Sequence, residues 1–484
     1  MNKELRRVSV VVLLMFVALF SSSTIIQVFQ QDNLKADGRN ARTLYASFSA
    51  ERGPILVDGE PIAESVPVND EYKYQRVYAH GPLYSAVTGY FTLNQGNTGL
   101  EGSLNDFLSG TANEQFLDQL NAVITGQNPK GAAVELTIDP IVQKAAYDAL
   151  GNLKGAVVAI DPKTGAILAM VSKPTYDPAD LATHDGAAFR ATYDALLNDS
   201  DDPLINRTIA GDLNPPGSTF KLVVTATALE NGLTPETKFP NPATLTLPQS
   251  NAVITNAEGG SCGGGATATI ATALRLSCNI PFAQLGLQLG YVKISQEASK
   301  FGFGDDGLKI PMTVEPSVYP PTESDAEQML SSFGQASDRV SPLQMAMVSA
   351  AVANGGQLMK PTLIETISAP NLTVLQPFNP QVYSTPISSQ TAATMNQMMV
   401  NGVANGAASN ARISGIDVAG KTGTAENGDG EPYTLWFTGF APANDPRVAV
   451  AVVVENGGGL GQSGFGNLVA APIARTVMEA VLNR

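Results

Sequence analysis

The order of elements along the chain predicts an α+β fold, and three observations carry that prediction. First, a helix and two apolar strands follow one another between residues 140 and 171. Second, the strongest strand pattern, Val448–Val454, and a closing helix, Leu468–Leu482, stand at the far end of the chain. Third, the clearest patterns between those ends are helical. One sheet assembled from both ends of residues 137–484, with a helical part inserted between its strands, satisfies that order.

The N-terminus comes first. Lys3, Arg6 and Arg7 lie in a short leading tail, residues 1–7, and precede an apolar run from Val8 to Phe29. About 20 such residues span a bilayer. Basic residues on the short side place that end in the cytoplasm and the rest of the chain outside it. A cleaved signal peptide is the competing reading, with Val8–Phe20 as its apolar core and Ser21–Ser23 as the cleavage zone. The extension Ile25-Ile26-Gln27-Val28-Phe29 favours the uncleaved anchor, residues 8–29. Residues 30–136, opening near Asp37-Gly38-Arg39-Asn40, read as a small mixed, loop-rich pedestal that lifts the next domain off the membrane.

From residue 137 the pattern becomes regular. Asp139 is placed to cap a helix over Ile141–Leu150, with Pro140 at its first position and Gly151-Asn152 as its stop. Val157–Ile160 and Ile167–Val171 are predicted strands around the tight turn Asp161-Pro162-Lys163-Thr164-Gly165. Residues 174–217 are polar and read as loops. A helix is predicted from Ser218 to Glu230, ended by Asn231-Gly232. Gly259–Gly265 is a Gly-rich loop, Ala268–Leu276 and Ser341–Ala353 are helical, and Val418–Thr424 and Thr434–Phe440 are strand candidates. Gly457–Gly466 reads as a flexible loop before the last helix.

Composition narrows the chemistry. The 484-residue chain carries a net charge of -15, which argues against a nucleic-acid partner. It has two histidines, His80 and His184, neither near a nucleophile signature. The Gly-x-Ser-x-Gly pattern Gly259–Gly263 lies inside a Gly-rich loop and has no strand-to-helix turn around it. A His-dependent serine mechanism and zinc chemistry are therefore poorly supplied, and no cofactor is called for. There are two cysteines, Cys262 and Cys278. Outside the cytoplasm a disulfide between them is permitted. It would close a loop worth roughly 3 kcal/mol in a chain-entropy account; two free thiols are the alternative.

A serine without histidine needs another base. Pro216-Gly217-Ser218-Thr219-Phe220-Lys221 offers one, because positions i and i+3 share a helix face and put Lys221 behind the Ser218 hydroxyl. A Ser at a helix start is ordinarily only a cap. A lysine base must also be disfavoured as a cation, by burial or by a second cation nearby. Two downstream elements meet that demand. Ser277-Cys278-Asn279 supplies a hydroxyl and an amide, and Lys421-Thr422-Gly423-Thr424 supplies the second cation. On a strand, Lys421 and Gly423 would face one way and Thr422 and Thr424 the other, with Gly423 leaving room for a ligand along the strand. Ser103-Leu104-Asn105 and Lys163-Thr164-Gly165 repeat two of the triplets and read as structural copies.

The ordered set Ser218–Lys221, Ser277–Asn279 and Lys421–Thr424 resembles the three motifs of the penicillin-recognising serine enzymes. Gly334-Gln335, Ser341-Pro342-Leu343-Gln344, Ala353-Asn354-Gly355-Gly356 and Trp436–Pro442 also look like transpeptidase-domain segments. The anchor and Arg52-Gly53-Pro54-Ile55 resemble the front end of class B penicillin-binding proteins, and the compact length is most like their short actinobacterial penicillin-binding protein A type. The resemblance implies an antiparallel sheet flanked by helices plus a helical subdomain over residues 137–484. It implies a peptidoglycan D,D-transpeptidase that cross-links stem peptides of lipid-linked or nascent glycan and is acylated by β-lactams. Ser218 would be the nucleophile and Lys221 its base, with Ser277 and Lys421 as proton relay and Asn279 as a substrate and Lys221 ligand. The Ser218 and Thr424 N–H groups would form the oxyanion hole. Thr422 and Thr424, with Lys421, would receive the substrate carboxylate on the Gly423 strand. A membrane glycan polymerase and division proteins are the implied partners. A non-enzymatic division scaffold, and a membrane-anchored β-lactamase or β-lactam sensor, are the alternatives.

Overall fold

The structure is a computed structural model that describes residues 2–26, 48, 50–93, 95–116, 124, 130–211, 213–257 and 259–484. Asn2–Thr24 is a helix. Its stretch Lys3–Thr24 has a mean hydropathy of 1.9 and none of it is buried against the rest of the chain. At ~1.5 Å per residue, 22 residues match the thickness of a bilayer's hydrocarbon core. The end of the expected anchor, residues 27–29, and the Asp37–Asn40 segment lie outside the described residues.

A five-stranded antiparallel sheet forms the centre of the C-terminal region. Its order is Ala419–Ala425, Thr434–Ala441, Val448–Val454, Gly155–Ile160 and Ile167–Lys173. Strands from the two ends of the region meet where Val448–Val454 pairs with Gly155–Ile160. All residues of both strands are buried, because helices cover both faces. Side chains alternate between those faces. Val450, Val452 and Val454 pack with the helices Pro140–Leu150 and Ala470–Leu482. Ala449, Ala451 and Val453 face the opposite layer, which includes Lys221–Glu230 and Pro342–Ala353.

The helix starts are written locally. Asp139 accepts from the Ile141 and Val142 N–H groups, with Pro140 opening the helix. Ser341 accepts from Gln344 N in the same way. Residues 174–217 differ from the loop expectation, since Pro178–Leu181 and Gly186–Leu197 are helices. Asp177 and Asp185 cap them, so residues that read as turn formers are serving as helix N-caps. The helix expected from Ala268 begins at Ile270, because Thr267–Thr269 pairs as a short strand with Lys238–Pro240.

The first region contributes to a six-stranded sheet. Ile55–Val57, Glu60–Pro67, Tyr74–Tyr78 and Ala133–Leu136 are joined by Ile364–Ser368 and Val374–Gln376 from far along the chain. The first region is therefore more regular than expected, and its sheet is completed by the C-terminal region. A buried cluster holds it, with Glu101 between the guanidinium groups of Arg52 and Arg76, each at 2.6 Å.

Candidate active site

Ser218 lies in a short 3₁₀ turn, Gly217–Thr219, and the α-helix proper runs Lys221–Glu230. Its hydroxyl does not cap that helix and takes no hydrogen-bond partner among the described residues. Close packing sets its position. Gly217 has φ +51°, a region costly to side chains, and donates its N–H to Gly334 O at 2.9 Å. A Cβ on Gly334 would lie 1.9 Å from Gly217 O, so no larger residue fits. Trp436, fully buried, donates its indole N–H to Pro215 O at 2.9 Å. Gly423 is closely covered on one face: a Cβ there would stand 2.8 Å from Pro216 O. On that face the glycine admits the nucleophile turn.

Lys221 is fully buried and donates to Ser277 O and to Asn279 Oδ1, both at 2.8 Å. Lys421, also buried, donates to Ser277 Oγ at 2.7 Å and to its neighbour's carbonyl, Thr422 O, at 2.8 Å. Burial holds the Lys221 amine well below the ordinary lysine range, and the charge of Lys421 pushes it further down. Burial brings Lys421 to about 7. The structure thus brings Lys221, Ser277, Asn279 and Lys421 together, with Lys221 three residues along the chain from Ser218.

The strand Ala419–Ala425 is an edge strand of the central sheet, so its outer backbone groups can accept an extended peptide. Its side chains alternate as expected. Thr422 Oγ1 donates to Ala407 O at 3.0 Å, which commits its proton. Thr424 Oγ1 accepts from Gly466 N at 3.2 Å and keeps its own proton to donate. The Gly217 turn packs against the backbone of Thr424 and Ala425.

Ser277 ends the helix Ile270–Leu276 in the left-handed region, φ +61°. Such a conformation costs a non-glycine residue energy and persists only where its surroundings enforce it. Two restraints do so here. Cys278 and Cys262 are joined by a disulfide, with Cα atoms 5.8 Å apart. Asn256, buried, accepts from the N–H groups of Asn279 and Ile280 and so caps the helix Asn279–Leu289 from a distant loop. Asn241, also buried, donates to Cys262 O and Gly265 O and accepts from Cys262 N. Sequence reasoning missed these two asparagines. An isolated Asn in a loop carries no local sign that its partners lie more than twenty residues away.

The residues set aside are elsewhere. Lys163 pairs with exposed Asp445, His184 pairs with Asp70 of the first region, and Asn105 bonds Arg52. His80 is exposed.

Comparison with known proteins adds relatives to this geometry. A family model described as the penicillin binding protein transpeptidase domain matches residues 155–479. A second, described as the penicillin binding protein A dimerisation domain, matches residues 52–134. The peptidoglycan D,D-transpeptidase PbpA of Mycolicibacterium smegmatis is 40% identical over 490 aligned residues, covering 100% of this chain and 99% of that protein. PbpA of Mycobacterium tuberculosis is 38% identical with the same coverage. The solved structure of penicillin-binding protein A from M. tuberculosis as a ceftriaxone acyl-enzyme complex is 36% identical, with a TM-score of 0.87 over 90% of this chain and 100% of that one.

Proposed function

The chain belongs to the penicillin-binding protein transpeptidase family, and from that premise we propose that Ser218 is the nucleophile of a peptidoglycan D,D-transpeptidase anchored in the cell membrane. One observation carries the assignment. Lys221 is buried, held by Ser277 O and Asn279 Oδ1, and its pKa is lowered well below the ordinary lysine range by burial and by Lys421, three residues along the chain from an unpartnered Ser218 hydroxyl.

In this reading Ser218 Oγ attacks the carbonyl between the two terminal D-alanines of a stem peptide, and Lys221 takes its proton. The developing oxyanion is received by the Ser218 and Thr424 N–H groups; loss of one such donor costs about 2.7–4 kcal/mol. Lys421, with a pKa of about 7, and the Ser277 hydroxyl it bonds deliver a proton to the departing D-alanine. Lys421 and the Thr424 hydroxyl favour the substrate's terminal carboxylate; Thr422 supports the strand, its proton committed to Ala407 O. Asn279 orients Lys221 and offers its amide to the substrate. An amine from a neighbouring stem then forms the new amide bond and releases Ser218. A β-lactam acylates the same serine and stays.

The basic residues Lys3, Arg6 and Arg7 favour a cytoplasmic N-terminus and an extracytoplasmic catalytic region, with residues 8–29 as anchor, 30–136 as pedestal and 137–484 as transpeptidase domain. A membrane glycan polymerase and division proteins are the partners this placement favours. Labelling with a fluorescent penicillin tests the assignment: the wild type takes the label and Ser218→Ala does not. An unlabelled wild type would sink it.

A further inference from the structure

A polar cavity of about 530 Å³ opens beside the nucleophile turn, and neither Ser277 nor Asn279 lines it. Asn214 and Pro215, Gln335 and Arg339, and Glu426 and Asn427 supply its walls. Each pair belongs to a segment already tied to the reacting serine. Pro215 is held by Trp436 just before Ser218, Gln335 follows the glycine that bonds Gly217, and Glu426 comes two residues after Thr424, about 7 Å of extended chain.

The charges in this cavity are unevenly satisfied. Glu455, on its wall, is neutralised by Arg207 at 3.4 Å and Lys154 at 4.0 Å and accepts from Asn214. Arg339 bonds only the carbonyls of Ala336 and Asp338 in its own loop, both through Nη1, and no carboxylate pairs with it among the described residues. The neighbouring Asp338 carboxyl is buried, burial pushes its pKa well up, and no ion pair joins it to Arg339 among the described residues. Glu426 is exposed and, among the described residues, has no ion-pair partner. A free guanidinium edge and a free carboxylate therefore border one cavity next to the acyl-enzyme position. By contrast, the cavity of about 310 Å³ between the first region and the C-terminal region is lined by no charged side chain.

We propose that this cavity is the acceptor subsite and that it selects an amine carrying a carboxylate on the neighbouring carbon, with Arg339 gripping the carboxylate and Glu426 drawing in the ammonium. The inference rests on the transpeptidase reading. A guanidinium fork matches a carboxylate through two parallel hydrogen bonds, which fixes orientation as well as position. Once seated, the ammonium gives one proton to solvent, and the neutral amine attacks the Ser218 ester, its second proton passing to Lys221. The C–N bond forms, the C–Oγ bond breaks, and Oγ regains a proton through Lys221.

The test uses the full chain in detergent with a D-alanyl thioester as donor. D-alanine and D-alaninamide compete as acceptors in one tube, and the two products are quantified by mass spectrometry. Their ratio cancels differences in the folded fraction. Arg339→Ala is expected to cut the preference for D-alanine on the order of tenfold, the scale of a lost charge-assisted pair. Arg339→Lys, which keeps charge and loses the fork, is expected to fall between. A ratio equal to wild type in both variants overturns the assignment. A wild type that fluorescent penicillin does not label brings down the transpeptidase reading instead.

Discussion

Lys421 donates to the Ser277 hydroxyl at 2.7 Å across 144 residues of chain. That contact places a second cation against the carbonyl-bound Lys221 amine, and it sets the pH response of the site. Replacing Lys421 by Met removes a charge that lowers the Lys221 pKa. The proton-accepting form of Lys221 then appears only at higher pH. The acid limb of penicillin acylation, measured as rate against pH, is expected to move upward; an unchanged or lowered limb would contradict the coupling. Burial remains the larger cause, so part of the depression survives the substitution.

Gly334→Ala is expected to abolish labelling by penicillin at intact expression of the anchored chain. Its φ is +81°, and the new Cβ would meet Gly217 O at 1.9 Å. Either the loop or the Ser218 turn must shift, and a shift of about 1 Å in a catalytic group costs on the order of a hundredfold in rate. Near-normal labelling would show that the turn tolerates displacement.

Asn256→Ala touches none of the three motifs. It leaves the Asn279 and Ile280 N–H groups without their shared acceptor. A destabilisation of about 1–3 kcal/mol is expected for these buried donors. It should be visible in a thermal melt, together with slower acylation because Asn279 loses its register.

Reduction of Cys262–Cys278, or the pair of serine substitutions, is expected to lower stability by about 2–4 kcal/mol. The effect should extend to the site, since Ser277 adjoins the bond and holds a left-handed backbone. Comparing acylation rates with and without reductant checks this. Equal rates would assign the bond to stability alone.

Glu101→Gln is expected to cost about 3–5 kcal/mol, because Arg52 and Arg76 would remain buried without their anion. Burial raises the Glu101 pKa, but the two arginines outweigh it and the net shift is downward. With the folded pKa below the unfolded one, the stabilisation is present above the ordinary carboxylate range. It is lost as pH falls through the folded value. Denaturant midpoints measured on wild type and variant should converge on acidification.

Neighbouring residues alone determined much of this protein. The Pro216-Gly217 break, the Asp139 cap and the alternation of Lys421–Thr424 are short-range patterns, legible because their causes lie within four residues. The shortage of histidine also pointed from Ser218 to a lysine base. Burial and distant contact were decided only in the folded chain. Whether Lys221 can be neutral depends on low-dielectric surroundings summed over the whole helical layer and on a cation 200 residues later. The Gly423 Cα is covered by Pro216 O because two segments far apart in sequence meet there, and no rule of local periodicity contains that meeting. The caps Asp177 and Asp185 were visible as residues, yet read as turns, since a capping aspartate and a loop aspartate differ only in what the following backbone does. Tertiary packing settled that difference, as it settled how Asn256 could reach Asn279.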